Sequence, residues 1–310
     1  MSTSLKHFLD IHLLPADTLR GILTSAARLK AAQAKLGSSG QPLAGKTLAM
    51  LFEKPSTRTR VSFQVGMQQL GGQVVVLSPD TMQLGRGETI ADTARVLSRY
   101  VDVIMLRTSG AEKLEELARH ATVPVINGLT DYSHPCQAMA DVMTLREHFG
   151  DVEGRTVAFI GDGNNVARSL AIACGKLGIK FVLASPAGYE LPGDDLDRIM
   201  SQVPTLDLVI TRDPADAVRE ADCVYTDTWV SMGQEEEKAK RMHDFAGFCV
   251  DEKLMSGAPG HAVVMHCLPA YRGYEISEGV MEGKQSLIFP QAENWLHFQK
   301  GLLAVLMGGM

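Results

Sequence analysis

Residues 47–60 read TLAMLFEKPSTRTR, an apolar run that stops at a turn carrying Ser56, Thr57, Arg58, Thr59 and Arg60. The apolar part predicts a buried strand, and residues 57–70 carry apolar side chains at mixed three- and four-residue spacing, which predicts a helix. A helix start offers unpaired backbone N–H groups and the positive end of the macrodipole, to which hydroxyl and guanidinium side chains add further donors. The turn therefore has the chemistry of a phosphate cradle, and it lies where α/β halves bind ligands, outside the carboxyl end of a strand. Elsewhere such a string would read as a capping hydroxyl followed by solvated arginines. A P-loop would need a glycine-rich loop ending in Gly-Lys-Ser/Thr, and no such string occurs.

Working outward, residues 15–36 place Leu19, Ile22, Leu23, Ala26 and Leu29 on one helical face and stop at Gly37. Further strands are predicted at 73–77, 102–106 and 124–127, with helices over 89–100 and 111–120 between them. Near-continuous apolar strands separated by helices imply a parallel sheet covered on both faces. The rhythm restarts with strands at 155–160, 180–184, 206–210, 223–226 and 262–267. A helical stretch over 135–150, after a His-Pro step, bridges the two series, and residues 292–306 form a last helix with Trp295, Leu296, Leu302, Leu303 and Leu306 available for packing. The fold class expected is α/β, two doubly wound parallel-sheet domains joined by interdomain helices. The division is placed at 1–134 and 135–291, with 292–310 packing back onto the first domain. A length of 310 residues agrees with two units at a prior of roughly 150 residues each.

Composition narrows the function classes. Hydrophobic residues at 45% and charged residues at 21% are ordinary globular usage, without a low-complexity tract or fixed-period repeat. The formal charge of −6, from 30 basic and 36 acidic residues, has no single-sign run and argues against nucleic acid as a partner. Cys136, Cys174, Cys223, Cys249 and Cys267 are widely spaced without a CxxC pair, which suits reduced thiols. No apolar run approaches the ~20 residues that span a bilayer, and the N-terminus has no leader pattern, so a cytoplasmic protein without membrane partners is expected.

Three more clusters carry chemistry. In YSHPCQ, His134 and Gln137 stand one helical turn apart, and both can donate to a carbonyl oxygen that becomes negative in a tetrahedral intermediate. The strand-end Arg107 adds a permanently charged donor. In MHCLPAYRG, Cys267 ends an apolar strand, and strand alternation sends His266 to the opposite face, which argues against a thiol protease. The segment FIGDGNNVARS resembles a dinucleotide turn but lacks the third glycine, and Asn165 there suits a carboxylate or amine of a polar substrate. TDTWVSMGQEEE adds Asp227, Ser231 and Met232 on a loop in which Gly233 permits movement. No cluster with metal-ligand spacing is seen, and neither metal nor cofactor is expected.

STRT, HPCQ, the Asp-x-x-x-SMG segment and HCLP stand in the order found in ornithine carbamoyltransferases, and the chain resembles that family from FEKPSTRTR to the AEN near its C-terminus. The resemblance implies an N-terminal carbamoyl phosphate domain and a C-terminal amino-acid domain, as in the related aspartate carbamoyltransferases. It implies that Ser56, Thr57, Arg58 and Thr59 hold phosphate, that Arg107, His134 and Gln137 bind and polarise the carbamoyl group, and that Gln83 reaches a neighbouring subunit's site. By the same transfer, Asn165, Asp227, Ser231 and Met232 bind ornithine, while Cys267 and Leu268 line the place of its reactive amine and the carbamoyl group. The SMG string is absent from aspartate carbamoyltransferases, and putrescine carbamoyltransferases differ in that loop. A homo-oligomer, trimer or multiple of trimers, and a role in arginine biosynthesis are implied as well, although biosynthetic and catabolic members share these motifs. One departure stands out: the family usually has AENR, with the Arg contacting carbamoyl phosphate, whereas this chain has Trp295, onto which no substrate role is carried. Arg272 is a candidate to compensate.

The reaction so implied is attack of the neutral side-chain amine of ornithine on the carbonyl carbon of carbamoyl phosphate, without a covalent enzyme intermediate. Arg107, His134 and Thr59 would stabilise the oxyanion, Asp227 and Cys267 would orient the amine, and closure of residues 231–237 would exclude water. The rival readings are a nicotinamide-dependent dehydrogenase, a carbamoyltransferase for putrescine or acetylornithine, and a binding subunit without turnover.

Overall fold

The computed structural model describes residues 5–38, 40–78, 87–231 and 233–308. In chain order the elements are α1 (Ala16–Leu36), β1 (Thr47–Phe52), α2 (Thr57–Gln69), β2 (Gln73–Leu77), α3 (Ile90–Leu97), β3 (Val103–Arg107), α4 (Ala111–His120), β4 (Val125–Leu129) and α5 (Pro135–Phe149). Then follow β5 (Thr156–Ile160), α6 (Asn165–Leu177), β6 (Lys180–Ala184), α7 (Gly193–Gln202), β7 (Leu208–Thr211), α8 (Pro214–Val218) and β8 (Cys223–Thr226). The series closes with α9 (Lys238–Asp244), α10 (Glu252–Met255), β9 (Val263–His266), α11 (Glu278–Met281) and α12 (Ile288–Leu306).

Two compact units result: Met1–Met143 with Asn294–Met310, and Thr144–Glu293. The division falls inside α5, where the sequence reading places it before Pro135, so α5 and α12 each run from one unit into the other. The predicted start of the last helix at 292 is corrected to Ile288. Pro290 lies in its first turn, where a missing N–H costs no intrahelical bond, so proline begins this helix instead of excluding it.

In the first unit the sheet is parallel, four-stranded and ordered β2-β1-β3-β4. Its inner strands β1 and β3 are buried almost throughout, as strands covered on both faces must be. Ala49, Leu51, Ile104 and Leu106 pack with Leu114 and Leu117 of α4. The end of α12 completes this unit's core: Phe298 lies 5.9 Å from Phe8 between ring centroids, and Phe298, Leu302 and Leu303 are fully buried. Gly301 is required there, since a Cβ would meet the backbone nitrogen of Ala26 on α1 at 2.7 Å.

The sheet of the second unit is parallel, five-stranded and ordered β7-β6-β5-β8-β9. Its core gathers Ala158, Ile160, Val224 and Val264 from the sheet with Trp229, Phe245 and Ile288. In each unit the strand order reverses once, between β1 and β3 and between β5 and β8. At such a point adjacent strands send their following loops to opposite sides, and a crevice opens outside the carboxyl ends. The last register pairs at the two crevices are Phe52 with Arg107 and Ile160 with Thr226.

Candidate functional site

In the first unit the crevice is built from the β1–α2 turn, the end of β3 and the start of α5. Ser56 caps α2, its Oγ accepting from the Thr59 N–H at 3.3 Å and donating to Thr59 Oγ1 at 2.8 Å. Arg107 donates from Nη1 to the same Thr59 oxygen at 3.3 Å. Thr59 Oγ1 thus accepts twice, which directs its own proton elsewhere. Thr57 and Arg58 are exposed at the helix start, whereas Thr59 is fully buried.

Arg107 is 5% exposed, and its Nε has no hydrogen-bond partner among the described residues. Burial, with Arg58 nearby, lowers its pKa to about 10, so it keeps its charge at neutral pH. A buried cation with so little compensation is costly unless an anion or polarised oxygen joins it. Beside it, burial and the Arg107 charge lower the pKa of His134 to about 3, which keeps the imidazole neutral. His134 can therefore donate a hydrogen bond without adding a second buried charge. The structure brings Thr59, Arg107 and His134 together.

Gln137 is partly engaged within the unit. Its Nε2 donates to the buried Asp141 Oδ1 at 2.7 Å, because a carboxylate inside the unit must find donors. One N–H of the carboxamide is spent in this way, and its second N–H and its oxygen remain as a donor and an acceptor for a ligand amide. Gln83 lies outside the described residues.

The second unit's crevice is acidic. Asp227 follows β8 directly, 6% exposed, and its Oδ1 accepts from the Thr228 N–H at 2.7 Å and the Cys267 thiol at 2.9 Å. Oδ2 accepts from Asn164 Nδ2 at 2.8 Å. Asn164 also caps α6, its side chain accepting from the Val166 and Ala167 N–H groups. Sequence reasoning singled out Asn165, which is half-buried as the first residue of α6; the visible signal for Asn164 was a capping residue before a periodic run.

Asp162, in the same turn, has its carboxyl pKa raised by burial, while Arg241 Nη1 donates to it at 2.8 Å. Arg241 also donates to the Trp229 carbonyl at 3.0 Å and from Nε to Glu237 at 2.8 Å, so one guanidinium ties the 228–237 loop to the β5–α6 turn. Nothing in the sequence marked Arg241 beyond its place in a charged helix. Ser231 is half-buried, with its N–H donating to Gln234 Oε1 at 3.0 Å, and Met232 lies outside the described residues.

One expectation about the HCLP segment is overturned. Asp227, His266 and Cys267 have side-chain donor atoms all within 4.8 Å of one another, so His266 does not turn to the far face. The reason is that β9 ends at His266 and Leu268 turns to a left-handed φ of 58°, so the pleat no longer alternates beyond the strand. His266 is nevertheless committed: Nδ1 accepts from the Leu268 N–H at 2.8 Å, and Nε2 therefore carries the proton toward Glu275 Oε1 at 3.1 Å. With both ring nitrogens engaged, it positions the Cys267–Leu268 backbone and is no base for the thiol. Arg272 pairs with Glu282 at 2.8 Å, which already shares its charge.

The glycine turn also bears on dinucleotide binding. Gly163 donates its N–H to the Tyr189 carbonyl at 2.7 Å, and a Cβ on it would meet the Leu191 nitrogen at 2.5 Å. The backbone approach that a pyrophosphate uses in dinucleotide folds is taken here by residues 189–191 of the protein.

A two-domain α/β protein with a cationic crevice in one unit and an acidic one in the other is the class that fold and site define. A family model described as the aspartate/ornithine carbamoyltransferase carbamoyl-P binding domain matches residues 6–147, and one described as the Asp/Orn binding domain matches residues 153–306. The chain belongs to the aspartate/ornithine carbamoyltransferase family. It is 52% identical over 305 residues to the ornithine carbamoyltransferase of Anoxybacillus flavithermus, covering 97% of this chain and 96% of that one. To the Methanopyrus kandleri ornithine carbamoyltransferase it is 51% identical over 312 residues, with 98% of each covered. Among solved structures, ornithine carbamoyltransferase from Pyrococcus furiosus superposes with a TM-score of 0.95 at 48% identity, covering 100% of this chain and 99% of that one.

Proposed function

We propose that this enzyme transfers the carbamoyl group of carbamoyl phosphate to the side-chain amine of L-ornithine, giving L-citrulline and phosphate. The observation that carries the reading is the buried, under-compensated Arg107 grouped with the Thr59 hydroxyl and a neutral His134, three donors suited to one carbonyl oxygen. Full-length identity to relatives named ornithine carbamoyltransferase supports ornithine as the acceptor.

In this reading the phosphate occupies the α2 start, held by Ser56, Thr57, Arg58 and Thr59, with Gln83 supplied by a neighbouring subunit. The carbamoyl oxygen faces Arg107, His134 and the Thr59 proton, and its NH₂ group is held by the Gln137 oxygen and the Cys267–Leu268 segment. Asn165, Asp227, Ser231 and Met232 bind ornithine, with Asn164 fixing the Asp227 carboxylate. The amine, with a reference pKa near 10.4 like that of lysine, must lose a proton before it can attack. Its nitrogen then forms the C–N bond, the oxyanion is stabilised by donors already in place, and the C–O bond to phosphate breaks. The first proton, lost from the ammonium before attack, passes to solvent, and the second, lost from the attacking nitrogen, leaves on the phosphate. A trimer or multiple of trimers in the cytoplasm, serving arginine biosynthesis, belongs to the same reading and takes support from the family resemblance.

The test is carbamoyl transfer from carbamoyl phosphate to ornithine, run beside putrescine, aspartate and acetylornithine. Strong preference for ornithine is expected. Preference for another amine would replace the acceptor, and binding of carbamoyl phosphate without product from any amine would make the chain a binding subunit.

A further inference from the structure

Trp295 stands in the first unit against the group that polarises the carbamoyl oxygen. Its ring centroid lies 5.5 Å from that of His134 at an interplanar angle of 64°, and the residue is 5% exposed. The indole Nε1–H has no hydrogen-bond partner among the described residues. A buried donor left without a partner is costly, and phenylalanine would fill the same place without that cost. Arg107 Nε is a second buried donor without a partner, and the Arg107 charge acts on the same His134. Two buried donors without partners, one on a ring packed on His134 and one on the guanidinium whose charge acts on it, are what a binding site looks like before its acceptor arrives.

The acceptor must be an oxygen at the buried end of the crevice, since the phosphate belongs at the exposed helix start formed by Thr57 and Arg58. We propose that Trp295 Nε1–H donates a hydrogen bond to the carbonyl oxygen of bound carbamoyl phosphate, beside Arg107, Thr59 and His134, and so is a further catalytic residue of this chain. The proposal rests on the carbamoyl-transfer reading. An indole suits the place because it adds a donor without a second buried cation beside Arg107. A bond to that oxygen also strengthens as negative charge develops on it, so its loss lowers kcat as well as raising KM. The other tryptophan, Trp229, also lacks a partner for its N–H, but it stacks on Phe245 at 5.5 Å within the apolar core of the second unit and serves as an internal control.

Trp295→Phe keeps a ring against His134 and removes only the donor. The expected result is a drop of about tenfold in kcat/KM for carbamoyl phosphate, with the ornithine KM and inhibition by inorganic phosphate unchanged and thermal stability retained. Unchanged kcat/KM overturns the proposal. Equal weakening of carbamoyl phosphate and inorganic phosphate also overturns it, because that pattern belongs to lost packing. Should the variant fail to fold, the wild-type indole N–H resonances, assigned with Trp229→Phe, decide the matter: that of Trp295 moves with carbamoyl phosphate but not with inorganic phosphate, and an unmoved resonance refutes the contact. Absence of carbamoyl product from wild type with every amine would instead remove the underlying reading, whatever Trp295 does.

Discussion

The two units solve one topological problem with opposite charge. Each opens a crevice where its strand order reverses, and each starts a helix there. The first fills its crevice with Arg107, the Thr59 hydroxyl and a neutral imidazole, whereas the second places Asp227 and Asp162 at the same location relative to its sheet. Burial acts on both and has opposite consequences, lowering the pKa of Arg107 and raising that of Asp162. The sheet decides where a ligand binds, and a few strand-end side chains decide which sign of charge is welcome.

Removing Arg107 should break this contrast most severely. Arg107→Met is expected to lower kcat/KM for carbamoyl phosphate by about 10²–10³-fold, the usual loss for an oxyanion donor, with little change in the ornithine KM. Initial rates with each substrate varied in turn check this, and a loss shared equally by both substrates would mean that the units do not divide the work. The mirror experiment is Asp227→Asn, for which a loss of about 10–100-fold should fall on ornithine, because hydrogen bonds to a charged partner contribute roughly 1.5–3 kcal/mol. A carbamoyl phosphate defect of equal size would place the carboxylate's role elsewhere.

Stability offers a gentler probe. Gly163→Ala should destabilise by about 1–3 kcal/mol, as overpacking does, read as a lower thermal midpoint. An unaltered midpoint would show that residues 189–191 yield easily. Acid acts on the other unit. The folded pKa of His134 is about 3 against a reference of 6.5, so below that reference the unfolded chain binds the additional proton. Its contribution to stability is present above pH 6.5 and is lost as pH falls toward 3. His134→Asn should flatten that slope in denaturant titrations, and an unchanged slope would locate the acid sensitivity in other groups.

Strand and helix periodicity made the two series legible, and position at strand ends made Thr59, Arg107 and Asp227 legible with them. Choices made only in three dimensions were not. That Gln137 spends one N–H on Asp141 one turn away shows only in the folded chain, and the fate of Asn164 depends on a carboxylate from another strand. Arg241 gained its place by reaching Asp162 and the Trp229 carbonyl across a loop, which no local pattern encodes. The gathering of Asp227, His266 and Cys267 escaped because strand alternation was extended one residue past the strand's true end.

The return of α12 to the first unit has a consequence for biosynthesis of the chain. Phe298, Leu302 and Leu303, buried in that unit's core, and Trp295, packed on His134, leave the ribosome only after the whole second unit has done so. The first unit to be started is thus completed after the second. A chain cut short before α12 would have a whole second sheet and an unfinished first unit, its apolar surface open to aggregation.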